Sequence, residues 1–263
     1  MYDRRRIAQL MTLLGGAEAP LGIFFTDREP QEGETAAPGA KSDCIMNVIR
    51  AAREKKTQAW FAADRTGCPG GDAYLGFNLP APDFLSHRLS TGILGKEGER
   101  YLPSTASADH FWDDLDIRPA PATHFVIKPL NLFTGGEEPL FVVFFARVEE
   151  LAGLCNLARF ALDSHDAVTV PYGAGCSCLF AWPDHYRRKS LEKAVLGCLD
   201  PSCRHFMEMD ELSLTVSAAT FGKMLAAMDQ TFLLKDGWKK VVAKIKTRHR
   251  HTRPDSTRQN QST

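Results

Sequence analysis

The chain has 263 residues, with 32 Lys and Arg against 32 Asp and Glu, so the balanced charge gives no argument for nucleic acid or a membrane surface. That length suits one large domain or two small ones with ample core, and no apolar run approaches the roughly 20 residues that span a bilayer. The opening basic and apolar residues mimic an export signal, but Gln9 and Thr12 interrupt them and no small-residue cleavage site follows. An amphipathic first helix in a cytoplasmic protein is therefore expected. Seven cysteines, an odd number, then point to reduced thiols, metal ligation or redox chemistry rather than a disulfide framework.

In chain order, Ile7, Leu10, Met11 and Leu14 recur at helical spacing over 4–14, and Gly15 and Gly16 stop that helix. The run 21–25 (LGIFF) has strand length, and 27–40 reads as an exposed loop. Asp43 is placed to cap a helix to Lys55, which puts Cys44 in the first helical turn, where free amides favour a thiolate. A strand over 57–63 leads into 64–77 (DRTGCPGGDAYLGF), where Cys68 sits on a glycine-rich turn before a short helix. Helical segments are expected at 74–77, 84–91 and 109–115. Strands at 124–130 and 140–146 are expected to pair as an antiparallel hairpin through Gly135 and Gly136, followed by a helix over 149–162.

The second half echoes this order. A strand at 168–170 runs into 171–176 (PYGAGC), where Cys176 follows Gly173 and Gly175. A short helix, a hairpin of 193–199 with 211–217, a helix over 220–232 and a last helix over 238–245 complete it. The expectation is a single α+β domain over 1–245, an antiparallel or mixed sheet with packed helices, with possible duplicated halves at 17–163 and 164–234. From Lys246 the basic tail has no apolar residues and is expected to be disordered. The run 239–250 suits a solvated helix face, with contact to nucleic acid or an acidic partner as the lesser reading.

The chemistry is expected at Cys44, Cys68 and Cys176. Glycine lets backbone amides approach a bound group, and amides aimed at sulfur stabilise a thiolate. An iron–sulfur cluster would have to draw its ligands from these separate segments, with the fourth from Cys178, Cys203, a histidine or an exogenous group. Zinc is the rival, although no Cys-x2-Cys pair exists, and an unmetallated site is the other alternative. Cys155 and Cys198 read as apolar filler. Cys178 in an extended loop would face away from Cys176, and Cys203 sits in a turn, where it reads equally as exposed filler. His165, His185 and His205 read as surface or core residues, and Tyr172 and Arg204 flank the cysteine regions. No Gly-x-Ser-x-Gly, His-Glu-x-x-His, Walker or dinucleotide spacing occurs.

The chain resembles the domain of unknown function 169 family of anaerobic bacteria and archaea. The resemblance runs from about Pro20 to Trp238, through PLGIFF, GCPGGDAYLGF, FFARVEELAGL, PYGAGC, LGCLDPSCR and ELSLTVSAATFGKML. It implies that the family pattern falls on Cys44, Cys68, Gly71, Gly76, Gly175, Cys176, Asp200 and Arg204, and that Cys155, Cys178, Cys198 and Cys203 are particular to this chain. The expected function is that of an iron–sulfur or other metal-thiolate protein in anaerobic redox or cofactor metabolism. Cys44, Cys68 and Cys176 would be ligands, with Gly71, Gly175 and Arg204 at the bound group. The alternatives are a non-enzymatic small-molecule binding or sensor module with free thiols, and thiol catalysis by Cys68 or Cys176. A small molecule or a redox partner is expected as partner, a homodimer stays open, and neither membrane nor nucleic acid is expected.

Overall fold

The computed structural model describes residues 3–36, 44–63, 65–93 and 95–252. Its centre is a seven-stranded sheet in the order β2-β5-β1-β6-β9-β8-β7, which with its helices makes an α+β fold. The first helix is α1 (Arg4–Leu13), capped by the Asp3 carboxylate and ended by Gly15 and Gly16, both at positive φ. Then come β1 (Leu21–Thr26), α2 (Ile45–Lys55), β2 (Ala59–Phe61), α3 (Pro69–Tyr74) and α4 (Phe84–Leu89). A two-stranded ribbon of β3 (Gly92–Ile93) and β4 (Lys96–Glu97) precedes α5 (Thr105–Leu115). The chain continues through β5 (His124–Pro129), β6 (Phe141–Arg147), α6 (Val148–Leu162) and β7 (Val168–Thr169). A helical stretch with a π-helical segment at Ser177–Ala181 runs into α7 (Trp182–Arg188). The last elements are β8 (Ala194–Gly197), α8 (Pro201–Arg204), β9 (Glu211–Ser217), α9 (Ala218–Ala227) and α10 (Asp236–Thr252).

Strand alternation divides the core in two. Along β6, Phe141, Val143 and Phe145 point to one face, and Val142, Phe144 and Ala146 to the other. The second group meets α1, α6, α9 and the Trp238 end of α10. The first meets α2, α3, α5, the π-helical segment and α8, and this face also carries Cys44, Cys176, Cys198 and Cys203. Helices thus cover both faces of the sheet, and four of the seven cysteines pack on one of them, with Cys155 packed against the opposite core.

Three expectations are corrected. The strands β5 and β6 do not form a hairpin. β1 lies between them, pairing Leu21 with Pro129 on one side and with Val143 on the other. The connection 130–140 is far longer than the two to five residues of a tight hairpin, and it carries a 3-10 turn at Leu130–Leu132. The expected pairing of β8 with β9 is present, from Val195↔Thr215 to Gly197↔Ser213. The basic end is helical through Thr252 rather than disordered from Lys246, because Trp238 and Ile245 anchor α10 against α1 and its following glycines; residues 253–263 lie outside the described residues. Cys44 is the N-cap of α2 rather than a first-turn residue, and Asp43 lies outside the described residues. No helix of the described residues is long and apolar enough to cross a membrane.

Candidate functional site

Local sequence sets each cysteine at the start of a helix. Cys68 is the N-cap of α3, Pro69 takes the first helical position, and the Gly71 amide donates to Cys68 Sγ at 3.4 Å. Thr66 secures the turn by donating its hydroxyl to Asp72 Oδ1 at 2.8 Å. Gly76, at positive φ, ends this unit; a side chain there would run into the backbone of Arg118–Ala120. Cys176 lies in the first turn of the helix that passes through the π-helical segment. The Ala174 carbonyl accepts from the amides of Ser177 and Cys178. π-helical turns interrupt an α-helix at a cost and gather at functional sites.

Two glycines let these helix starts approach one another. A Cβ on Gly71 would overlap Ile45 Cδ1 of α2, and one on Gly175 would lie 3.1 Å from Cys203 Sγ of α8 and from Met46 Cγ of α2. The starts of α2, α3, α8 and the Cys176 helix therefore meet. Charge coupling shows the same grouping. Burial pushes the Cys176 thiol far up, and Cys68, Cys44 and Asp200 push it further. Burial likewise raises Cys44; the Met46 and Asn47 amides pull it back, and Cys68 and Asp200 add to the rise. Cys176 is buried, and Cys44 and Cys68 are half-buried, at helix starts that lie against one another. Among the described residues, no group of three or more His, Cys, Asp or Glu side chains stands in a metal-ligating arrangement.

Aromatic residues wall this locality. Tyr74 stacks on Trp112 at 4.8 Å, Phe111 meets Tyr172 edge-on at 5.1 Å, and Trp182 Nε1 donates to the Tyr172 carbonyl at 2.6 Å. Burial drives the Tyr74 hydroxyl far up, with Cys176, Tyr172 and Asp200 adding. Among the described residues, neither that hydroxyl nor Trp112 Nε1 has a hydrogen-bond partner. Buried polar atoms are nearly always satisfied, so these two are exceptions that need a cause.

The other residues singled out from sequence take structural places. Arg204 gives its guanidinium to the carbonyls of Cys198, Glu208, Glu211 and Met209 and holds the 198–211 turn closed. Cys203 is buried rather than exposed, and its thiol donates to Asp200 Oδ1 at 3.1 Å. Cys178 is not in an extended loop. It lies in the π-helical segment, its pKa pushed up to about 12 by burial and by Cys198, with its sulfur turned toward Gly197. Cys198 follows β8 at positive φ and is fully buried. His185 bonds the Leu115 carbonyl at 3.0 Å.

Sequence reasoning gave little weight to Asp200 and passed over Tyr74. A readable signal existed for Asp200, since Asp before Pro201 marks a helix start. A cleft of about 1130 Å³ lies toward the other end of α2, lined by Arg50, Arg53, Phe145, Arg147, His205 and Glu211 among others, and its lining includes none of the cysteines.

Searches of curated proteins and of solved structures find no match. The model of domain of unknown function 169, described as uncharacterised ArCR, matches residues 9–227. That span takes in Cys44, Cys68, Cys176, Asp200 and Tyr74, so the whole locality lies inside it, and the chain belongs to the domain of unknown function 169 family.

Proposed function

We propose that this protein binds a metal or iron–sulfur group through the thiolates of Cys44, Cys68 and Cys176, for redox or cofactor chemistry. The observation that carries the reading is the close approach of the helix starts that bear these cysteines. Free amides at those starts favour negative charge on sulfur. Burial first, with Cys68 adding, raises the thiols of Cys176 and Cys44. A bound cation reverses that balance, because a coordinating thiol is deprotonated outright. The side chains must turn inward to ligate. The sulfur of Cys176 makes no capping hydrogen bond that would resist this. Gly71 and Gly175 act here through the close approach of helices, and Arg204 through the turn that presents α8.

Protein purified without oxygen and assayed for iron and acid-labile sulfide tests the reading. Bound metal that is lost in Cys68→Ser supports it. A metal-free wild type, unchanged in spectrum and stability by that substitution, refutes it. A second reading, a small-molecule binding or sensor module with free thiols, is favoured by the unpartnered Tyr74 hydroxyl and Trp112 indole. Its mark is a ligand-induced rise in melting temperature of metal-free protein with all three thiols titratable.

A further inference from the structure

We propose that Asp200 is the oxygen donor that completes the Cys44–Cys68–Cys176 site, and that Tyr74 donates its hydroxyl to an exogenous ligand held there. The proposal rests on the metal-thiolate reading above. Asp200 is the N-cap of α8 and is only 7% exposed. A carboxylate this buried is ordinarily paired with a cation. No ion pair to Lys, Arg or His forms on Asp200 among the described residues. Its partners are neutral: the Ser202 hydroxyl donates to Oδ2 and the Cys203 thiol to Oδ1. These two donors fix the orientation of the carboxylate and leave lone pairs free on both oxygens.

Packing places Asp200 beside the site. The Cys203 thiol that donates to it also lies 3.1 Å from where a Cβ on Gly175, the neighbour of Cys176, would stand. The competing fourth donors are otherwise engaged. The Cys203 thiol is spent on Asp200, Cys178 points its sulfur toward Gly197, and His185 bonds a distant carbonyl. The Tyr74 hydroxyl is the independent sign of a missing ligand. It belongs to a side chain 3% exposed that stacks on Trp112 in the aromatic row running through Phe111 to Tyr172, and it has no hydrogen-bond partner among the described residues. Three sulfurs and one oxygen select a borderline divalent cation such as zinc, cobalt or ferrous iron over calcium or magnesium.

The test is anaerobic titration of the reduced full chain with cobalt(II), reading the sulfur-to-cobalt charge-transfer band, on wild type, Asp200→Asn and Cys68→Ser. The expected result is one cobalt per chain. The charge-transfer band should persist in Asp200→Asn with affinity lowered at least about tenfold, and shrink in Cys68→Ser. Equal affinity in wild type and Asp200→Asn overturns the role of Asp200 and leaves the thiolate reading standing. No band in wild type overturns both. X-ray absorption on cobalt-loaded wild type gives a readout independent of whether variants fold. Three sulfurs with at least one oxygen supports the proposal, and an all-sulfur shell refutes it.

Discussion

Substituting Gly71 by alanine tests whether the helix starts are held at van der Waals contact. Gly71 is a helical residue within α3, where alanine alone is favoured by about 1 kcal/mol. Against this, the new methyl would overlap Ile45 Cδ1, lie 2.9 Å from Ile45 Cγ1 and touch Cys68 Cβ at 3.5 Å. Ile45 is 1% exposed and β-branched, so its rotamers are few. Overpacking of that kind costs about 1–3 kcal/mol, leaving a net loss of up to about 2 kcal/mol. Ile45→Val removes the overlapping Cδ1 and alone costs about 0.5–1.5 kcal/mol. In the double variant the alanine methyl fills the space vacated, so the two losses should not add. A coupling of about 1 kcal/mol or more is expected from urea unfolding of the four proteins under reductant. Additivity within about 0.5 kcal/mol would refute the claim that α2 and α3 touch here.

Two further substitutions address charges in the frame. Arg53 bonds Glu211 at 2.6 and 3.0 Å and Glu18 at 2.8 and 3.3 Å, and stacks 4.2 Å over Phe145; Arg53→Met strands the buried Glu211 and should cost about 3 kcal/mol in urea unfolding, part of it recovered by adding Glu211→Gln. Lys128 is buried on β5 and bonds Glu137 at 2.8 and 2.9 Å. Burial alone raises the Glu137 carboxyl, but the bonds from Lys128 and Thr134 hold it below its ordinary value of 4.5 on balance. That stability is complete above the ordinary value and lost as pH falls through the lowered one. Glu137→Gln should therefore cost about 1–2 kcal/mol near neutrality and progressively less below about pH 4, followed by urea midpoints.

The elements legible in the sequence were those whose signal is local. The apolar run of β6, the helical period of α6 and the glycine-set turn at Cys68 each carry their cause within a few residues. The β5–β6 pairing was misread because its outcome depends on β1, more than a hundred residues earlier, entering between them. Cys203 and Cys178 were misread for a related reason. Whether a short turn is exposed depends on what folds over it, and here the Cys176 helix, β8 and α2 do so. The end of α10 outlasted its apolar residues because an anchored helix carries a polar turn beyond its last contact.

The approach of the helix starts that bear Cys44, Cys68 and Cys176 depends on the whole sheet. β2 and β7 are its two edges, so the strands that lead to Cys68 and Cys176 start six strand spacings apart, about 29 Å at roughly 4.8 Å each. Six residues (62–67) separate Phe61 from Cys68, and six (170–175) separate Thr169 from Cys176. Each linker reaches at most about 20 Å when extended. Neither could cross the sheet alone, but together they suffice if both run inward over the same face. That requires the linkers to be pinned in open conformations that have no ladder of their own. The Thr66–Asp72 bond pins the first, and the Trp182–Tyr172 bond the second. A local cysteine pair would need none of this. A site assembled from opposite edges exists only when every strand between them is in register, which makes occupancy of the site a report on the fold of the entire domain.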